Sequence, residues 1–483
     1  MTRSDSLRFL TLASAAALLS ACAVGPKAPD ALIPPSATGP FASAGLPVAS
    51  GVVTTDPARD DWWRLYADPT LDGLVSQAFA NNNQLESAAA NLRAVRASLS
   101  EARASRLPTT NASGGYSYGR SSSATFAASG APASGEPLDE VETYDVGLDV
   151  SYEVDLFGRV GSSIRAARAD ADAAAAALDV VRVTVAAETA RAYADACSAN
   201  AQIAVAQTNI DLQTRTVDLT QRLLEGGAGT GLDTARARSA LASTRASLQT
   251  LQAARDEALF RLATLTGTTP SQASEAARQC QRPPQLAQPV PIGDGAALLA
   301  RRPDVRQAER NLAAAAARVN VATASLYPTI SLGGSLGSTA LSAGDLGDDT
   351  SFRFSVGPLI SWSFPNIAVA RARIAQTGAL TDAALADFDQ AVLVALQETE
   401  TALTQYANEL DRRAALTEAR DQAATAARLS RLRFDAGADS FLTVLDAERT
   451  LASADAQLAS SDALVTTYQI ALFKALAGGW DQG

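Results

Sequence analysis

The stretch Tyr144–Arg159, YDVGLDVSYEVDLFGR, carries two structural periods in one run. Tyr144, Val146, Leu148, Val150, Tyr152 and Val154 alternate strictly with Asp145, Gly147, Asp149, Ser151, Glu153 and Asp155. That is the period of an extended strand with one apolar and one polar face. After Gly158 the pattern changes. From Val160 to Glu225 the chain holds no proline, and no glycine but Gly161, and is dominated by alanine, arginine and other helix formers. The composition predicts one helix of about 66 residues, ~100 Å long.

The second half repeats the unit. Phe352, Phe354, Val356, Ile360, Trp362 and Phe364 alternate with Arg353, Ser355, Gly357, Ser361 and Ser363, and another helical run extends from Ala368 to about Asp435. Val146-Gly147 and Val356-Gly357 are 210 residues apart, as are Gly227 and Gly437, whereas Pro108 and Pro328 are 220 apart. The first half therefore carries about ten extra residues between its two strands, where insertions are easiest.

Outward from these runs, each half reads as a helix, a strand, a second strand, a long helix and a returning helix. A helix from about Leu71 to Ser105 closes at Leu107-Pro108, and a strand follows over 109–119 with Tyr116 and Tyr118 on one face. Its counterpart runs from Ala296 to Ser325, interrupted at Arg301-Arg302-Pro303-Asp304 and ended by Tyr327-Pro328. Pro358 lacks a ladder proton, so a bend or bulge is expected there. Glycine-rich turns at Gly227 and Gly437 lead into return helices, one to about Thr266, the other from Leu442 to about Leu476. In the first long helix Ile203, Ile210, Val217 and Leu224 form one heptad stripe and Val205, Leu212 and Leu219 another, so it can grip a neighbour on each side.

The domain reading is a signal peptide over 1–21, a lipidated proline-rich tether without a core over 22–60, a first repeat over 61–266, a linker over 267–292, a second repeat over 293–477 and a tail over 478–483. The N-terminus carries Arg3 and Arg8, an apolar run from Phe9 to Leu19, then Leu19-Ser20-Ala21-Cys22. This reads as an export signal ending in a lipobox whose Cys22 thiol receives the lipid; about 11 apolar residues are too few to span a bilayer, which needs ~20. Of the other cysteines, Cys197 lies in the long helix and Cys280 in the linker. An oxidising compartment makes a disulfide between them reasonable, with two unrelated buried thiols as the alternative.

Composition narrows function. A net charge of −11 with no basic face argues against nucleic acid. With no histidine, one methionine and three cysteines, no metal cluster, cofactor or histidine-based catalysis is expected beyond the lipid on Cys22. Four alternating strands cannot close around a channel, since barrels of eight are already filled by side chains; three copies give twelve. The apolar face would then meet lipid and the polar face water.

The ordered set of Leu19–Cys22 with Val24-Gly25-Pro26, Trp62-Trp63 with Asp68-Pro69, Tyr152–Arg159, Arg301–Val305, Tyr327-Pro328 and Gly437–Asp446 resembles the outer membrane factor (TolC-like) family, in its lipid-anchored NodT-type efflux branch. The resemblance implies an α+β membrane protein: a homotrimer forming a 12-stranded β-barrel continued by a long α-helical barrel in the periplasm. It implies an exit duct that takes small molecules such as drugs from a periplasmic adaptor and an inner-membrane transporter. Gly227 and Gly437 match the tip turns that dock on the adaptor, and Asp233 and Asp446 match acids that constrict the pore. The plain alternative for both acids is helix-start chemistry. Thr443 stands where some relatives carry a second acid, and Phe434 where some carry a tyrosine that holds the closed state. A duct for secreted proteins, or a non-pore adaptor or coiled-coil lipoprotein, are the competing readings.

Overall fold

The computed structural model describes residues 24–45, 51–120, 139–286, 288–362 and 367–476. The leader, Cys22, residues 363–364 of the last expected strand and the tail lie outside the described residues. In chain order the elements are β1 (Val53–Thr54), α1 (Pro69–Asn81), α2 (Asn83–Ala104), β2 (Thr109–Gly119), β3 (Val141–Val154), α3 (Arg159–Glu225), α4 (Gly231–Leu265), α5 (Glu275–Arg278), β4 (Val290–Pro291), α6 (Gly295–Arg301), α7 (Pro303–Ala324), β5 (Thr329–Ala340), β6 (Phe352–Ser361), α8 (Ile367–Asp435) and α9 (Phe441–Leu476). The chain forms two compact units. One takes residues up to Asp30 with Arg93–Asp172 and Arg310–Ala386; the other takes Ala31–Leu92, Ala173–Glu309 and the chain from Asp387 on. Each unit draws on both halves of the sequence repeat.

The first unit is built on one antiparallel sheet of order β2-β3-β5-β6. Its register brings the apolar residues of neighbouring strands level: Tyr116 with Tyr144, Leu148 with Leu336 and Phe354, and Val154 with Ile330 and Ile360. Most of this face is uncovered in the single chain, Phe354 being 72% and Val356 77% exposed, while Tyr144, Val154 and Ile330 are half-buried. On the other face Arg353 reaches across β5 to donate to Asp145 at 2.8 Å. Gly337 leaves the room for it, since a Cβ there would lie 3.3 Å from the guanidinium. Pro358 does not make the expected bulge. It sits in unbroken register opposite Leu332, in the strand at one edge of the chain's sheet. The strand-to-helix junction closes through Asp155, whose carboxylate accepts from the Val160 and Gly161 amides at 3.0 and 2.6 Å, after Gly158 turns the chain at φ +71°.

The second unit holds the principal core. Trp62 is fully buried and stacks on Phe473 at 5.0 Å, with Trp63, Tyr66, Leu71, Tyr193, Leu259 and Leu262 around it. Asp68 starts α1 by accepting from the Thr70 and Leu71 amides, with Pro69 in the first turn. The single helix expected over 71–105 is two. Asn82 is extended and buried; its side chain accepts from the Gln84 and Leu85 amides and donates to the Leu265 carbonyl, so one residue caps α2 and pins the end of α4.

The segments read as tether and linker pack against the helices. Phe41 and Ala37 are buried, the Ala42 and Ser43 amides donate to Glu400, and β1 pairs in parallel with β4. Ala277, Val290 and Ile292 of the linker are buried as well. The apolar residues between the prolines have surface to cover, and they cover it against the helices. Cys197 and Cys280 are joined in a disulfide with Cα atoms 5.0 Å apart, and the Asn200 amide donates to the Arg278 and Cys280 carbonyls beside it.

Candidate functional site: two helical turns and the groove beside them

All of the tip residues lie in the second unit, on the hairpins α3–α4 and α8–α9. Both turns end their helix in the same way. Gly227 has φ +75° and Gly437 φ +74°, a left-handed conformation that only glycine enters at little cost. The Ala228 amide donates to the Leu223 carbonyl and Gly227 to Leu224; Ala438 donates to Arg433 and Gly437 to Phe434. These are two Schellman motifs, identical in register after a shift of 210.

Asp233 is third in α4 and forms a capping box: its amide donates to the Thr230 hydroxyl oxygen at 3.2 Å, and its carboxylate accepts from the Thr230 amide at 3.3 Å and hydroxyl at 2.6 Å. Its equivalent is Thr443, which lies 3.4 Å from the Ser440 hydroxyl. Asp446 is past the cap, one turn into α9. Its carboxylate is 66% exposed and accepts from Arg449 at 3.0 Å. Phe434 meets Phe441 edge to face across the second turn, with ring centroids 5.7 Å apart. The second turn also carries an ion pair for which the first has no residues, Leu223 and Gly229 standing at the equivalent places. Arg433 donates to Asp439 at 2.6 and 3.1 Å, and the guanidinium holds the Asp439 carboxyl below its ordinary value of 3.8.

The heptad stripes of α3 are mostly half-buried, from Ile210 at 7% to Leu224 at 37% exposure. The buried positions between them include four polar residues, Asn209, Gln213, Thr216 and Thr220, beside Ala206. Each buried polar group needs a partner. Thr244 of α4 donates to Gln213 at 2.9 Å, and Thr216 donates to Glu448 of α9 at 2.8 Å. Glu448 is itself only 5% exposed and also accepts from Arg431 of α8 at 2.8 Å. A groove of about 1060 Å³ runs along these hairpins, lined by α3, α4 and α9, with Arg236, Asp446 and Arg449 on its walls and small residues such as Ser243 and Ser453 between.

The structure thus separates the two expected acids: Asp233 is spent on a helix start, while Asp446 faces the groove. Sequence reasoning missed Glu448, Arg431, Thr216, Arg433 and Asp439. A signal existed. The 210-residue shift aligns Glu448 with Arg238 and Arg431 with Gln221, two positions at which the repeats differ in charge. Among the described residues no group of three or more metal-ligating side chains occurs, and no helix is long and apolar enough to cross a membrane.

A sheet with one bare apolar face, joined in one chain to helical hairpins of this length, defines an outer-membrane channel protein of the TolC-like α+β type. The chain belongs to the outer membrane efflux protein family, whose profile matches residues 74–268 and 296–478. It is 32% identical over 481 residues to the pyoverdine export outer membrane protein OpmQ of Pseudomonas aeruginosa, covering 98% of each chain. Among solved structures it is similar to the outer-membrane channel OprN, with a TM-score of 0.87 and 35% identity, over 95% of this chain and 100% of that one. The CmeC outer membrane channel of Campylobacter jejuni shares the fold at a TM-score of 0.84 and 20% identity, over 95% and 96% of the two chains. The protein is an outer-membrane exit channel of tripartite efflux.

Proposed function

We propose that three copies of this chain close into a twelve-stranded barrel and form a lipid-anchored duct for small molecules, whose helical tips meet a periplasmic adaptor bound to an inner-membrane transporter. The observation that carries this is the pair of free edges. β2 and β6 are the outer strands of a sheet whose apolar face is bare. In a bilayer an unpaired edge costs several kcal/mol for each orphaned backbone group, so the edges have to meet. Because β2 and β6 run in opposite directions, β6 of one copy pairs antiparallel with β2 of the next and the meander continues unbroken.

The anchor is Cys22. Gly25, three residues on, packs so closely on α7 that a Cβ would fall 1.9 Å from the Asn320 side-chain oxygen. Asn320 lies one turn from the end of α7 at Ala324, next to the start of β5. Roughly 10 Å of chain separates residue 22 from that point, which keeps an attached lipid beside the membrane end of the sheet. At the tips, the turns at Gly227 and Gly437 and the groove beside them receive the adaptor. Asp446 supplies the acidic constriction, while Asp233 serves its helix.

Single-channel recording of the purified protein in a planar bilayer, beside Asp446→Ala, tests the reading. Small cation-selective steps from a trimeric species are expected, with larger or less selective steps in the variant. A monomer by mass and no steps from either protein would favour the adaptor reading instead.

A further inference from the structure

We infer that Asp149 sets the charge selectivity of the barrel: among the described residues it is the one carboxylate on the polar face of the sheet that nothing in the chain offsets. The alternation of β3 puts Asp145, Asp149, Glu153 and, just past the strand, Asp155 on the face opposite to Val146, Leu148 and Val150. Three of these acids are answered within the chain. Asp145 accepts from Thr339 at 2.7 Å and from Arg353 at 2.8 Å. Glu153 accepts from Arg159 at 2.8 Å, and Asp155 from the Val160 and Gly161 amides.

The register leaves Asp149 over. Its cross-strand neighbours are Asn111 on β2 and Ser335 on β5, both neutral, and Ser335 lies 2.8 Å from the Ser355 hydroxyl one strand further on. Asp149 is exposed, and among the described residues no side chain donates to it. The four strands β2, β3, β5 and β6 hold a single basic residue, Arg353. It is engaged, since its Nε donates to Thr339 at 3.1 Å while a terminal nitrogen holds Asp145. Were Arg353 to turn to Asp149, Asp145 would be released in its place, so the strands keep one free negative charge on this face either way.

The role of Asp149 rests on the barrel reading. With the polar faces turned inward, three copies bring three such carboxylates to one level of the lumen, because each stands at the same register in its own sheet. Asn111, Ser335 and Ser355 share that level and carry no charge to cancel them. Fixed charge of one sign in a water-filled passage concentrates counter-ions and depletes co-ions, so cations pass in preference, inorganic ions and cationic cargo alike. Asp149 is thus a specificity-determining residue on the sheet, in addition to Asp446 on the hairpins.

The test is the K⁺/Cl⁻ permeability ratio of single channels carrying Asp149→Asn or Arg353→Gln, each first shown to be the same oligomer as the parent. Asp149→Asn keeps the shape and removes the charge. Near 0.1 M salt the ratio should fall on the order of twofold, in the parent and in an Asp446→Ala background alike. Arg353→Gln leaves Asp145 uncancelled as well and should raise the ratio. Both differences should fade at about 1 M salt, where the screening length shrinks to ~3 Å. A parent-like ratio from Asp149→Asn at the lower salt overturns the role of Asp149 and leaves the duct standing. A parent protein without steps overturns the barrel reading and the role of Asp149 together.

Discussion

The two tip hairpins share a backbone and differ in chemistry. The Schellman bonds of their turns match after a shift of 210 residues, with a left-handed glycine at the same place and a hydroxyl residue, Thr230 or Ser440, starting the return helix. Yet the acid of the first cap, Asp233, is Thr443 in the second; Arg236 becomes Asp446, Arg238 becomes Glu448 and Gln221 becomes Arg431. A Schellman turn requires its glycine and its carbonyl partners and little else. The geometry of a duplicated hairpin is therefore held by few residues, and the remainder are free to give one copy a groove-lining acid and a buried carboxylate that the other lacks.

The largest expected break in this comparison comes from exchanging the charges. Glu448→Arg copies the first hairpin into the second but places a cation at a site 5% exposed beside Arg431, and should destabilise by about 3 to 5 kcal/mol. The reciprocal Arg238→Glu, on an exposed surface, should stay within about 0.5 kcal/mol. Denaturant midpoints of the detergent-solubilised proteins measure both, and equal effects would mean that the hairpins are not distinguished by burial.

Next in size is the glycine pair. Gly227→Ala and Gly437→Ala each put a Cβ into a left-handed backbone with nothing within 4 Å, so strain is the only penalty, about 1 kcal/mol. The two variants should agree in midpoint to about 0.5 kcal/mol. A marked difference would show that one turn is braced by a neighbour and the other is not.

The smallest effect is acid dependence. The folded value of Asp439 lies below the unfolded one because Arg433 faces it, so the pair's contribution is whole above the ordinary value of 3.8 and is lost as the pH falls through the lowered value. Gly229 stands at this position in the first turn and has no such group. Hydrogen exchange, corrected for its intrinsic pH dependence, should show amides after Gly437 loosening on acidification below about pH 4 while those after Gly227 do not. Asp439→Asn should abolish the difference.

Long periodic elements were legible in the chain because periodicity is a local property. The alternation in 144–154 and the unbroken runs after Arg159 and Ile367 need no tertiary information, and the β3, α3 and α8 limits follow them closely. What failed was whatever depended on a distant partner. Asn82 breaks a helix because the Leu265 carbonyl takes its amide; Phe41 is drawn in because its neighbour Ala42 is held by Glu400, 358 residues further on. The candidate site divides likewise. Both turn glycines announce themselves, whereas Glu448 looks like any surface glutamate of a helix until Thr216 and Arg431 are seen around it.

The disulfide gives the hairpins one more difference, in how the chain is threaded. Cys197 and Cys280 are 83 residues apart, and everything between them, including the whole first tip, is a closed covalent loop. Closing a loop of that size removes about 4 to 5 kcal/mol of unfolded-chain entropy in the simplest treatment. The second tip has no such link. A protease cut between Gly226 and Gly231 would leave one molecule under non-reducing conditions, and a cut between Ala436 and Ser440 would sever the chain in two.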